Sequence, residues 1–214
     1  LVAGLNAKGC GAYSRKQIDE LTDFVKVSHR GLGGLVNIRF NEDGTVKSSA
    51  DKFFNEEQLR AIGALFSAAK GDLILIAADK VSKVRKSLGD LRLELAKRNQ
   101  WIAPDSWSVL WVVDFPLFEK DEESGEITFA HHPFCSPHPE DMKYFDSDPV
   151  KVRAQTYDMV LNGNEILSGS IRIHQREIQE KVFNKLGLSA EDREKKFGFM
   201  LNAFRYGAPP HGGC

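Results

Sequence analysis

No run of apolar residues in this chain approaches the ~20 that a membrane-spanning helix needs. The longest, Leu73 to Ala78, has the length of a strand. Leu1 to Gly11 lack the charged start and long apolar centre of a secretory leader, so a cytoplasmic protein without a membrane partner is expected. Cysteine is scarce: Cys10, Cys135 and Cys214 are far apart and show no paired spacing. That argues against a disulfide framework or a cysteine zinc site and for free thiols. Net charge is nearly absent, 29 basic against 30 acidic residues, which gives no overall electrostatic footprint for nucleic acid. What is present, 42% hydrophobic and 28% charged residues over 214 positions, excludes a disordered or fibrous chain and fits one large or two ordinary domains. Leu1 falls inside a plausible strand and the chain closes on PPHGGC, so it reads as a fragment.

The first half alternates strands and helices. Ser14 with Gln17 forms a capping box ahead of Ile18, Leu21, Phe24 and Val25, and predicts a helix over Ser14 to Val27, broken by Gly31 to Gly34. Leu35 to Phe40 alternates as a half-buried strand and ends in a turn at Asn41 to Gly44. Asn55 with Gln58 caps a second helix through Leu59, Ile62, Leu65 and Phe66, stopped by Gly71. Leu73 to Ala78 reads as a buried strand, and Asp79 opens a third helix carrying Val84, Leu88, Leu91 and Leu95. This is an α+β module with its own core, residues 1–103, truncated at its N-terminus and without a catalytic cluster. Its lysines and arginines, Lys80 to Lys86 among them, read as a solvated face, and His29 as a structural or surface residue.

After Ala103-Pro104 the pattern changes, and residues 104–214 read as a second domain. Ser108 to Pro116 is a long apolar strand expected at the centre of a sheet. A polar turn at Glu122 to Gly125 and a strand at Ile127 to Ala130 lead to His131-His132. Neighbours on a strand face opposite ways, so at most one of the two histidines serves a given site. Two helices follow, from about Gln175 to Leu186 and from a Ser189 cap to Gly207, and read as backing for the sheet.

Between these lies YDMVLNGNEILSGSIRIH, Tyr157 to His174. Asn162-Gly163 between two strand-forming runs predicts a tight antiparallel hairpin. Asp158, Glu165, Ser168 and Arg172 sit among its apolar residues. Charges inside apolar strands are costly unless paired, and a metal with a charged substrate would pair them. An edge hairpin with one wet face satisfies them equally well. Spacing alone leaves both readings open.

The string N-G-x-E-I-x-x-G-S-I-R-I-H closely resembles the substrate-binding hairpin of aspartyl-tRNA synthetases, class II ligases built on an antiparallel sheet. WVVDFPLFE followed by HHPF resembles a signature of the bacterial-type members. SRKQIDEL, GLGGL, KFFNEE, GDLILIAAD and LGDLRLELA, in that order, resemble their GAD-type insertion domain, which also occurs in a subunit of an archaeal tRNA-dependent amidotransferase. The resemblance implies an α+β insertion domain followed by the central part of a class II antiparallel sheet flanked by helices. It implies a parent enzyme, a homodimer, that activates L-aspartate with ATP and Mg2+ and transfers it to tRNA(Asp). His131 and Arg172 match groups that bind the aspartate, Arg172 reading its β-carboxylate, and His132 is left to packing. Asp158 and Glu165 match magnesium-holding carboxylates, with Glu165 also an ATP contact. Ser168 stands where many bacterial members have glycine and where archaeal and eukaryotic relatives have a magnesium-coordinating serine.

The residue types suit such chemistry. Magnesium binds through one or two carboxylates plus phosphates. Arginine offers a planar fork to a carboxylate, and Gly169 lets a ligand approach the backbone. Glu165 and Arg172 are seven apart, which puts them on opposite faces of a regular strand, so a shared site predicts a bulge near Ser168-Gly169. The first and second class II motifs find no match, and GAPPHGG leads toward a third that is not reached. The chain alone is therefore expected to be inactive and to hold no tightly bound cofactor. Two other readings remain: a stand-alone tRNA-binding or regulatory module, and a metal hydrolase using His131, His132, Asp158 and Glu165.

Overall fold

The structure is a computed structural model describing residues 1–27, 31–121 and 124–213. His29, Glu122, Glu123 and Cys214 lie outside the described residues. Packing divides the chain into two units, Leu1–Asp105 and Ser106–Cys214.

The first unit is an antiparallel sheet with helices on both faces. Strands β1 (Val2–Ala7), β2 (Val36–Phe40), β3 (Val46–Ser48) and β4 (Leu73–Ala78) lie in the order β1-β4-β2-β3. The unbroken apolar run of β4 is explained by its place between two cores. Leu73, Leu75 and Ala77 pack with Leu21 and Val25 of α1 (Arg15–Lys26) and Val84, Leu88, Leu91 and Leu95 of α3 (Val81–Arg98). Ile74, on the other face, packs with Ile38, Phe40 and Leu59 of α2 (Glu56–Leu65). The capping boxes at Ser14 and Asn55 are both formed, each contributing about 1 kcal/mol to its helix. Asp72 at the mouth of β4 is buried, which raises a carboxyl pKa. The N–H groups of Ala69 and Gly9 and the side chain of Asn6 nevertheless hold it below its ordinary value.

Two helix ends differ from expectation. The second helix ends at Leu65, before Gly71, because Ser67 already turns left-handed at φ 49°. The third begins on Lys80, with no side-chain cap; the Asp79 carboxylate instead accepts from the adjacent Lys80 N–H at 2.6 Å.

In the second unit β5 (Val109–Val113), β8 (Thr156–Leu161), β9 (Asn164–Ile171) and β10 (His211–Gly212) form an antiparallel sheet in the order β10-β9-β8-β5, beside a small hairpin of β6 (Phe118–Lys120) and β7 (Ile127–Phe129). The expected central strand is corrected: β5 is an edge, paired among the described residues with β8 alone, and every one of its residues is exposed. It is also short. Asp114 takes φ 59° and closes it, its carboxylate held by His138 Nε2 at 3.2 Å and Arg153 Nη1 at 3.6 Å. Arg153 further binds Asp141 and Glu140, and the contact with Asp141 holds that carboxyl below its ordinary value.

The helices do not back the hairpin. Val182 of α4 (Arg176–Lys185) joins Leu117, Phe118, Cys135, Phe145, Val152, Ala154 and Ile173 in a core built beside the sheet. In α5 (Ala190–Phe204), Phe197 meets Phe134 and Phe183. The apolar side chains of β5, β8 and β9 belong to none of the buried cores.

Candidate functional site

The hairpin forms as its sequence dictates. Asn162 at φ 50° and Gly163 at φ 84° supply the two left-handed positions of a type I′ turn. The turn is tied down, since Asn162 Oδ1 accepts from Ser108 N at 2.7 Å and its Nδ2 donates to Ser106 O at 2.9 Å.

The strand register decides which side chains share a face. Thr156 pairs with Ser170, Asp158 with Ser168 and Val160 with Glu165, with one irregularity opposite Met159-Val160, where β9 carries Ile166 as an extra residue. The ladder is regular through Ser168-Gly169, so the bulge expected there is corrected: it lies at Ile166. It still resolves the spacing. One inserted residue turns the odd interval between Glu165 and Arg172 into an even one. Thr156, Asp158, Glu165, Ser168, Ser170 and Arg172 thus occupy one face by register.

That face is electrostatically unsettled. Asp158 is 8% exposed and its Oδ1 has no hydrogen-bond partner among the described residues. Burial, then the neighbouring negative charge of Glu165, raises its pKa above the ordinary carboxylate value, while His131 pulls the other way. A buried carboxylate beside a second one is relieved by taking up a proton or by a cation between them. Among the described residues no three of His, Cys, Asp and Glu are grouped to hold a metal by themselves, so His131, His132, Asp158 and Glu165 do not form the cluster that the metal-hydrolase reading needs. Two carboxylates with the Ser168 hydroxyl suit Mg2+, which keeps several waters and shares phosphate oxygens.

At the other end of the face stands Arg172. Its N–H donates to Pro210 O at 2.9 Å, and its guanidinium contacts His132 Nε2 and lies 3.3 Å from Nδ1. His132 Nδ1 also lies 3.2 Å from the Phe134 N–H. The ring stays neutral: burial, then Arg172 and His131, push its pKa down to about 4. The guanidinium, a donor only, therefore takes a nitrogen of this neutral ring as its acceptor and keeps its positive charge for an anion. His132 is more than packing. His131 packs edge-on against Phe115 at 4.5 Å and faces the Asp158 end.

A family model described as tRNA synthetases class II (D, K and N) matches residues 15–214. The chain belongs to this family. It is 51% identical over 213 residues to an aspartate–tRNA ligase of Porphyromonas gingivalis, covering 99% of this chain and 36% of that protein. It is 50% identical over 213 residues to an aspartate–tRNA(Asp/Asn) ligase of Geotalea uraniireducens, covering 100% and 35%. A solved aspartyl-tRNA synthetase from Leishmania major, titled as putative, aligns at TM-score 0.37 and 22% identity over 64% of this chain and 20% of that one. The chain spans about 36% of the length of the curated relatives it matches.

The antiparallel hairpin sits within the part of this class II synthetase chain that the family model matches. Its reverse face carries Tyr157, which meets Trp111 edge-on at 5.5 Å and stacks on His211, its hydroxyl touching His211 Nε2. A Cβ at Gly169 would run into that phenol. The expectation that Gly169 admits a ligand is thus corrected: Tyr157 fills the space. Sequence reasoning missed His132 and Tyr157. Alternation along the strand pointed to the reverse face for Tyr157, but nothing local signalled that Arg172 lies against His132.

Proposed function

We propose that this chain is part of an aspartate–tRNA ligase that activates L-aspartate with ATP and transfers it to tRNA. Residues 1–103 are then the GAD-type insertion domain and 104–214 the central part of the class II catalytic domain. The observation that carries the reading is the single polar face of the hairpin. It bears a carboxylate pair at one end and a guanidinium with a neutral imidazole at the other.

The parts divide the work by charge. Arg172 takes the β-carboxylate of aspartate, with His132 beside the guanidinium to position it, so the negatively charged substrate is preferred over neutral asparagine. His131 lies toward the α end of the amino acid. Asp158, Glu165 and the Ser168 hydroxyl would hold Mg2+, and Glu165 would also meet ATP. When bound, the metal offsets the repulsion between the phosphates and the attacking α-carboxylate. The residues' own task is orientation: the α-carboxylate oxygen is brought in line with the α-phosphorus and pyrophosphate departs.

Aspartate-dependent pyrophosphate exchange tests the reading. The full-length protein exchanges and its Glu165→Ala variant does not, while the 214-residue chain alone stays at the Glu165→Ala background. Exchange by the full-length protein that is indifferent to Glu165 overturns the assignment of the site.

A further inference from the structure

The polar face contains two side chains that the proposed chemistry has not used. Thr156 and Ser170 are direct cross-strand partners, one step from the Asp158–Ser168 pair and on the way to Arg172. They are 5% and 1% exposed, and neither Thr156 Oγ1 nor Ser170 Oγ has a hydrogen-bond partner among the described residues. A buried hydroxyl without a partner is unfavourable, and alanine or valine fills the same volume without that cost. Opposed Thr and Ser side chains on neighbouring strands ordinarily bond one another. These do not, and Oδ1 of Asp158 beside them is equally unpartnered.

Three unpartnered polar atoms in a row on one face point to a partner that spans the row. Arg172 marks its far end. On β10 the residue paired with Ser170 is Gly212, and a Cβ there would come within 2.7 Å of Arg172 Nε, so the arginine side chain passes over the strand position next to Ser170, with Thr156 on the other side of Ser170. A carboxylate drawn to Arg172 must therefore arrive next to Ser170 and Thr156. Each hydroxyl can rotate to donate to it.

We infer that Thr156 and Ser170 are substrate-binding residues, whose hydroxyls donate to the side-chain carboxylate of the amino acid once the Arg172 side chain shifts to engage it. This rests on the proposed reading of the site as an aspartate-activating one. The hydroxyls add no charge and so do not themselves tell aspartate from asparagine. They set affinity by supplying, on binding, the hydrogen bonds that the free site lacks.

The test is made in the full-length protein by steady-state pyrophosphate exchange and thermal melting of Ser170→Ala, Thr156→Val and the double variant. The double variant raises KM for aspartate about tenfold, as the loss of one to two net hydrogen bonds requires. KM for ATP stays within about twofold, and the melting temperature is unchanged or higher because unpaired buried hydroxyls have been removed. Thr156→Ser, which keeps the hydroxyl, restores the parental KM relative to Thr156→Val. An unchanged KM for aspartate overturns the inference. So does a rise in both KM values together with a lower melting temperature, which marks a structural role; should the double variant not fold, the Thr156→Ser and Thr156→Val comparison decides. Arg172→Lys separates the two levels. If it raises KM for aspartate while the hydroxyl variants do not, only the role of Thr156 and Ser170 falls; if it has no effect either, the reading of the site falls with it.

Discussion

Asp158 pays in stability for its place on the hairpin. Its carboxyl is buried beside Glu165 and its pKa is raised, so its contribution is most favourable when protonated, below the ordinary carboxylate pKa, and is lost as pH rises through the elevated value. At neutral pH the ionised pair is a standing cost that the proposed Mg2+ would relieve. Asp158→Asn is therefore expected to melt higher than the parent chain without metal and to lose any Mg2+-dependent rise in melting temperature; a lower melt without metal would contradict the account. His132 has the opposite sign. Its folded pKa of about 4 lies below the unfolded value near 6.5, so its contribution is present above pH 6.5 and is lost as pH falls toward 4. Replacing it with Gln should flatten the decline in melting temperature across that window, which a pH series of melts would read. At this scale the charged residues were legible in the sequence because strands seldom carry Asp, Glu and Arg without cause. Thr156 and Ser170 were not, since a lone hydroxyl in a strand is unremarkable until its burial and lack of a partner are seen.

The element that matters is the β8–β9 hairpin, and its register hangs on one residue. Ile166 is the inserted position that brings Glu165 back to the face of Asp158 and Arg172. Deleting Ile166 removes the bulge but leaves an even interval between Glu165 and Arg172, so Glu165 should stay opposite Val160 on the Asp158 face and Mg2+ affinity, by titration calorimetry on the full-length protein, should stay within about threefold. A loss of about tenfold or more would contradict this, and show that the bent geometry of the bulge rather than the register places Glu165. The helix caps at Ser14, Asn55 and Ser189, the Asn162-Gly163 turn and the alternation of β2 were readable because each is decided by neighbours in the chain. The bulge and the edge position of β5 were not, because an apolar run such as Val109 to Val113 states that a strand wants cover without stating what covers it. Val109, Trp111 and Val113 are 54%, 55% and 57% exposed on an unpaired edge, the arrangement that promotes strand-to-strand association. The 214-residue chain should self-associate with concentration in sedimentation experiments, and Trp111→Lys with Val113→Lys should suppress it; an unassociated parent chain would show that the edge is protected.

Over the whole molecule, a net charge of −1 conceals a division. Residues 1–105 hold 17 basic and 13 acidic residues, a net of +4, while residues 106–214 hold 12 and 17, a net of −5. The totals cancel, which is why the bulk composition offered no hint of an anionic partner. The change of pattern near Pro104 was legible because each half completes its own hydrophobic periodicity. The separate cores follow from that: β4 is enclosed between α1 and α3 on one side and α2 on the other. The site face instead carries buried polar groups without partners among the described residues, and its chemistry stands or falls on binding. Titration of L-aspartate and L-asparagine into the full-length protein with Mg2+ and a non-hydrolysable ATP analogue tests it most directly. The account predicts that the parent prefers aspartate and that Arg172→Leu loses this preference, with aspartate affinity falling at least a hundredfold. Undiminished aspartate binding by Arg172→Leu would contradict it.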